Sequence, residues 1–274
     1  MRTQQFPMRS LVGDVAFRPY SLGVSTNMPP LLPAEAVHSK RHLLVWLALA
    51  FSAGATNAAT LAACQRFVTH VTGTLTRIGA DFGDFRLLID YILIAVAFVF
   101  GAMASVIWLD GRRFRGLDPL PAVPMLLVAL ATAAAAILGG LGFFGPFGVT
   151  VETDGDFELL AMLSFAMGLQ NAAIATTTGM VVRTTHMTGP VTDASIAAAT
   201  WLVAKNPLIR SAAWRSIWLR SSKVAMFVIG GAAAWFLAKH LEYAVFYIPA
   251  FIAFCSAFAV HHLVRAQRTP KPTP

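Results

Sequence analysis

Apolar residues are gathered into long runs, and most charged residues lie between the runs. The first run, 43–63, follows directly on Lys40-Arg41-His42 and contains Gly54 and Asn57. The stretch from Arg66 to Arg86 carries His70, Arg77, Asp81 and Asp84 and is too polar to face lipid. A second run covers 87–109, and a third, alanine-rich, covers 120–141. An acidic loop, 142–158, leads to a fourth run at 159–182 with Gly168, Gln170 and Asn171 inside it. After a short run at 191–204 and a basic stretch at 205–223, two more runs follow at 224–237 and 244–263.

A helix of about 20 apolar residues crosses the hydrocarbon core of a bilayer. The pattern therefore predicts an all-α polytopic membrane protein with about six transmembrane helices. The run 191–204 is expected to re-enter rather than cross. A crossing there would put Lys205, Arg210, Arg215, Arg220 and Lys223 on the outer side, against the rule that short cytoplasmic loops hold the Lys and Arg. The same rule puts both termini and the 110–118 loop in the cytoplasm and the acidic loop outside, as in a multi-pass protein of the bacterial inner membrane.

Composition agrees. Of the 274 residues, 57% are hydrophobic and 12% charged, where soluble domains carry about 25% charged residues. The net charge of +8 sits at the ends of apolar runs. It reads as orientation signal and contact with anionic lipid, not as a nucleic-acid surface. Cys64 and Cys255 offer no disulfide framework and no zinc spacing. Prolines at 7, 19, 29, 30 and 33 mark residues 1–40 as an extended, disordered cytoplasmic tail. The expected divisions are that tail, one membrane domain at 41–265, and a second disordered tail at 266–274.

Two polar motifs recur within the chain. Thr69-His70-Val71-Thr72-Gly73-Thr74 returns as Thr185-His186-Met187-Thr188-Gly189-Pro190. Gly54-Ala-Thr-Asn57-Ala58-Ala59 matches Gly168-Leu-Gln-Asn171-Ala172-Ala173. The spacing from Asn to His is 70 − 57 = 13 residues in one copy and 186 − 171 = 15 in the other. Shared patterns in the same order imply an internal duplication, repeat one at 43–141 and repeat two at 159–263. Three spans per repeat would invert the second against the first, as in many transporters. Each repeat would then carry a short re-entrant half-helix beginning at THxTG. Non-helical backbone at that depth is tolerated only beside protein or a water-filled cavity.

The segments that carry these motifs are GATNAA at 54–59, FVTHVTGTLTRIG at 67–79, GLQNAAIATTTG at 168–179 and RTTHMTGPVTD at 183–193. They resemble the YoaK-like family of bacterial membrane proteins, also called the domain-of-unknown-function-1275 family. The resemblance covers roughly residues 40–265 and all four segments fall in order. It implies a six-span inner-membrane protein and brings no established substrate or reaction. Many members carry an acid where this chain has Asn57, and Asn where it has Thr74, so the resemblance implies no cation-binding carboxylate at 57.

The motif residues admit two kinds of role. Asn57 and Asn171 lie mid-span and must face protein or water, as solute contacts or as interhelical hydrogen bonds. His70 and His186 can relay a proton near neutral pH, or make a local structural hydrogen bond. No Cys, Asp or Glu accompanies them at ligand spacing, so no metal is expected, and no cofactor. Thr72, Gly73, Thr74, Thr188 and Gly189 open helices, whose free N–H groups suit an anion or merely require capping. Asp193 stands where the first copy has Arg77; it either pairs across the repeats or favours its own helix dipole.

The function expected is a secondary transporter or permease for a small polar or anionic solute. The alternatives are an intramembrane enzyme using His70 or His186 as general base on a lipid-like substrate, and a structural subunit of a membrane complex. The absence of a P-loop, HExxH or GxSxG motif argues against ATP-driven or hydrolytic chemistry. The expected partners are the lipid bilayer and the solute, with self-association into a homo-oligomer left open.

Overall fold

The computed structural model describes residues 29–80, 83–149 and 154–268. The two tail expectations fall mostly outside these residues. Among the described residues the chain is helical throughout, without strands. A short helix α1 (Ala34–Val37) precedes α2 (Lys40–Cys64), α3 (Val71–Ala80), α4 (Phe85–Phe114), α5 (Ala122–Gly140), α6 (Asp154–Thr177), α7 (Thr188–Val203), α8 (Pro207–Leu241) and α9 (Tyr247–Arg268). A 3-10 turn, Glu242–Phe246, joins α8 to α9.

Five helical stretches are long and apolar enough to cross a membrane: 40–64, 85–114, 122–140, 155–177 and the 61-residue run 207–267. The chain thus has the helices of a multi-pass membrane protein. Several start where the sequence supplies a cap. The Asp84 carboxylate accepts from the N–H groups of Arg86 (3.0 Å) and Leu87 (3.2 Å) at the head of α4. The Asn206 amide oxygen accepts from Leu208 N–H (2.9 Å), with Pro207 in the first turn of α8.

Two stretches differ from the sequence reading. The basic stretch 205–223, expected as a loop, is helical from Pro207 onward and forms the first half of the 35-residue helix α8. Its tryptophans order it: Trp201 of α7 packs on Trp214 (ring centroids 5.7 Å), Trp214 on Trp218 (6.2 Å), and Arg210 stacks over Trp201 (4.5 Å). The end of the expected tail is also structured. Leu31, Leu32 and Val37 are buried, and Leu32 N–H bonds to Thr177 O at 3.0 Å, at the end of α6. Apolar burial outweighs the proline signal there.

The helices pair in a regular way. α2 packs against α8 and α9, and α6 packs against α4 and α5; α3 lies on α4 and α7 on α8, while α5 meets α9. The closest crossings use one pattern, Phe-x-x-Gly, which occurs at 51–54, 98–101, 165–168 and 227–230. Where α2 crosses α8, Gly54 faces the backbone of Phe227 and Gly230 faces the backbone of Phe51. Where α4 crosses α6, Gly101 faces Phe165 and Gly168 faces Phe98 in the same fashion. Small residues let backbones approach where hydrophobic driving force between helices is absent.

One end of the bundle gathers the last turn of α2 and the loop between α5 and α6. Gly148 N–H bonds to Ala63 O (2.9 Å), and Tyr243 of the 3-10 turn donates its hydroxyl to Gly145 O (3.3 Å). At the other end Arg113 of α4 donates to Pro29 O, beside the approach to α2.

Candidate functional site

The two THxTG motifs occupy breaks in the helical backbone. The first lies between α2 and α3, the second between α6 and α7. Both connectors run deep: Val68, Thr69, Val182, Thr184 and Thr185 are all buried. A buried non-helical segment leaves N–H and C=O groups that must find partners. Polar side chains inside the apolar helices supply them.

Asn57 serves the first connector. Its side-chain oxygen accepts from the N–H groups of Val68 (3.1 Å) and Thr69 (3.0 Å). Ser164 of α6 donates its hydroxyl to Val68 O (3.4 Å). After this clamp α3 begins at Val71, and the His70 carbonyl accepts from Gly73 and Thr74 N–H (2.9 and 3.1 Å). Gly73 makes room for the His70 imidazole, because a methyl there would stand 2.7 Å from Nδ1.

The second connector is held differently. Gln170, fully buried in α6, donates its amide to the Thr184 hydroxyl (3.1 Å) and to Leu49 O of α2 (3.2 Å). Lys223 of α8 is 1% exposed and donates to Arg183 O at 3.4 Å. The Thr178 hydroxyl accepts from Val182 N–H (3.1 Å) and donates to Ile174 O (2.7 Å). Asn171, the counterpart of Asn57, has a buried side-chain oxygen with no hydrogen-bond partner among the described residues, and so does Gln170.

The His186 ring packs on Phe98 of α4 (centroids 5.8 Å), one helical turn from the Gly101 crossing. Its Nδ1 lies 3.3 Å from the Thr185 hydroxyl.

The threonines do not cap their helices. The residue before α7 is Met187, with no side-chain cap, and Thr76 and Thr192 bond back to the carbonyls of Thr72 and Thr188 (2.8 and 3.1 Å). Thr72, Thr188 and Gly189 are exposed and Thr74 half-buried. Asp193 pairs with Arg220 of α8 (3.2 Å). That contact settles its partner as a residue of its own half. Of the residues singled out from sequence, Asn57 is committed to a backbone clamp, Asn171 has an acceptor without a partner among the described residues, and His70 and His186 stand at the heads of α3 and α7, exposed and half-buried respectively. Two open clefts of about 290 and 410 Å³ lie elsewhere, at the Tyr243 end of the bundle. Ser164 and Lys223 were not singled out; a lysine opening the apolar run Val224-Ala-Met-Phe227 was the available signal.

A family described as "Protein of unknown function (DUF1275)" matches residues 45–259. The chain belongs to the DUF1275 family. The matched segment begins early in α2 and ends within α9, so it contains both THxTG connectors and all four Phe-x-x-Gly crossings. No curated protein and no solved structure matches the chain.

Proposed function

We propose that this DUF1275 protein is a six-span secondary transporter or permease for a small polar or anionic solute, built from two inverted three-span repeats. The observation that carries the reading is the reciprocal packing. Exchanging α2 to α5 for α6 to α9 turns every helix pairing described above into another of them. The register holds residue by residue: 168 − 54 = 114 and 165 − 51 = 114 in one helix, 230 − 101 = 129 and 227 − 98 = 129 in the other. Glu242, at φ 47, breaks the 61-residue apolar run, which supports counting it as two spans. Three spans per half place the repeats in opposite orientation, and α3 and α7 then run from the middle of the bilayer toward opposite faces.

The basic end of the bundle, with Lys40, Arg41, Arg112, Arg113 and Arg115, is assigned to the cytoplasm together with both termini. The solute site falls between the connectors. His70 and His186 would contact the solute, with Asn171 and the backbone of Thr72, Gly73, Thr74, Thr188 and Gly189. Asn57 and Asp193, already engaged, would support the site rather than touch the solute. Transport would be driven by an ion or proton gradient, or be passive.

The test is uptake into proteoliposomes of a solute found by thermal-stabilisation screening of the purified protein. Replacing both His70 and His186 by Ala should abolish uptake; full uptake by the double variant would remove their roles. A tag placed just after residue 204 and found on the periplasmic side would break the inverted relation.

A further inference from the structure

The two connectors share a motif but not a length or a bonding pattern: Asn and His stand 13 residues apart in the first and 15 in the second. The Asn57 oxygen grips two backbone N–H groups, those of Val68 and Thr69, at 3.1 and 3.0 Å. The equivalent groups in the second half belong to Thr184 and Thr185 (68 + 116 and 69 + 116, the offset from His70 to His186). Yet the Asn171 oxygen, buried, takes neither. The second connector is instead tied through the Thr184 hydroxyl and the Arg183 carbonyl. The surroundings differ in the same sense. A methyl on Gly73 would strike the His70 ring, whereas one on Gly189 would meet nothing within 4 Å. The first connector is gripped by its own asparagine, whereas the second is held by Gln170, Lys223 and Thr178 while its asparagine oxygen goes unused.

A buried amide oxygen without a donor is costly, and a symmetric fold has a ready way to satisfy it. We propose that Asn57 and Asn171 are alternating latches, each gripping its own connector when the pathway is shut on that side. This structure is then the state closed at α3 and open at α7. In the opposite state Asn171 would accept from Thr184 and Thr185 N–H while Asn57 lets go. The proposal rests on the transporter reading above and gives it a mechanism: the two asparagines position the gates, and Asn171 is free to contact the solute only while it is unlatched. Because only one latch can be set at a time, each bond lost on one side is regained on the other, and the two states stay close in free energy.

The experiment reports sidedness. Thr72→Cys or Thr188→Cys, each exposed at the head of its half-helix, is placed singly in a chain carrying Cys255→Ser, since Cys255 is exposed and Cys64 is buried. Oriented membrane vesicles are treated with a membrane-impermeant maleimide from each side in turn. In the parent chain the Thr188→Cys reporter should react from the α7 side and the Thr72→Cys reporter only slowly from the α3 side. Asn57→Leu should speed the Thr72→Cys reporter about tenfold, the effect of losing two ordinary hydrogen bonds, and slow the Thr188→Cys reporter. Asn57→Asp, which keeps the accepting oxygens, should restore the parent pattern. Asn171→Leu should leave the parent pattern fixed.

Opposite movement of the two reporters supports the latch. Unchanged rates, or both rates rising together as in simple loosening, overturn it. If the latch fails while a solute still shifts either labelling rate, the transporter reading survives. If neither reporter reacts from either side in any variant, no water-accessible centre exists and both readings fall.

Discussion

Gly54→Ala tests the packing on which the two-fold arrangement rests. A methyl added to Gly54 would lie 2.8 Å from the carbonyl carbon of Phe227; one on Gly230, 2.8 Å from that of Phe51. At the other crossing the values are 2.9 Å for Gly101 against Phe165 and 3.0 Å for Gly168 against Phe98. Non-bonded carbons rest about 3.5–4.0 Å apart, so each substitution asks the helices to separate by something near 1 Å. The obstacle is backbone in every case, so no rotamer change relieves it. Overpacking of this kind costs about 1–3 kcal/mol, while Ala gains about 0.8–1 kcal/mol over Gly in a helix interior. The difference spans from zero to roughly 2 kcal/mol, and because rigid backbone is the obstacle these sites fall in its upper half, about 1–2 kcal/mol or about 2–8 °C in melting temperature for a chain of this size.

The sharper test is coupling. Gly54 and Gly230 share one crossing, so helices already parted by the first alanine accept the second at reduced cost. The double variant should lose about 0.5 kcal/mol or more less than the sum of the singles. Gly54 and Gly168 lie in different crossings and should add. Gly79, in α3 with nothing within 4 Å of an added methyl, is the control; Ala there should be neutral or stabilising by up to about 1 kcal/mol. The assay is thermal unfolding of the purified protein in detergent. Single variants as stable as the parent chain, or full additivity of Gly54→Ala with Gly230→Ala, would refute the reciprocal contact.

Another outcome follows from the charges. Asp193→Asn removes a pair whose side chains are 53% and 23% exposed, and should cost about 0–1 kcal/mol in the same melting assay. A larger loss would mean that the Arg220 contact does more than an exposed ion pair can.

The sequence carried the all-helical, membrane-length segments because an apolar run of that length has few alternatives. It misplaced 205–223 because charge was read as loop, when Arg210 stacks on Trp201 and tryptophans at 201, 214 and 218 bind that half of α8 to α7. The Phe-x-x-Gly pattern was present four times yet silent, since a glycine announces close approach only when its neighbour is known. Asn57 shows the deeper limit. A mid-span amide was expected to bond either a solute or another helix, but a third demand competed: a buried break in the backbone needs acceptors for its N–H groups, and an asparagine eleven and twelve residues upstream meets it. That same demand exists at the second break, where the matching Asn171 leaves it unanswered. The matching asparagines stand 13 and 15 residues before their histidines, and Gln170 beside Asn171 has Thr56 as its counterpart, so like residues acquire unlike bonds that only the folded connectors display. That difference is also the feature most expected of a protein that works by exchanging the roles of its halves.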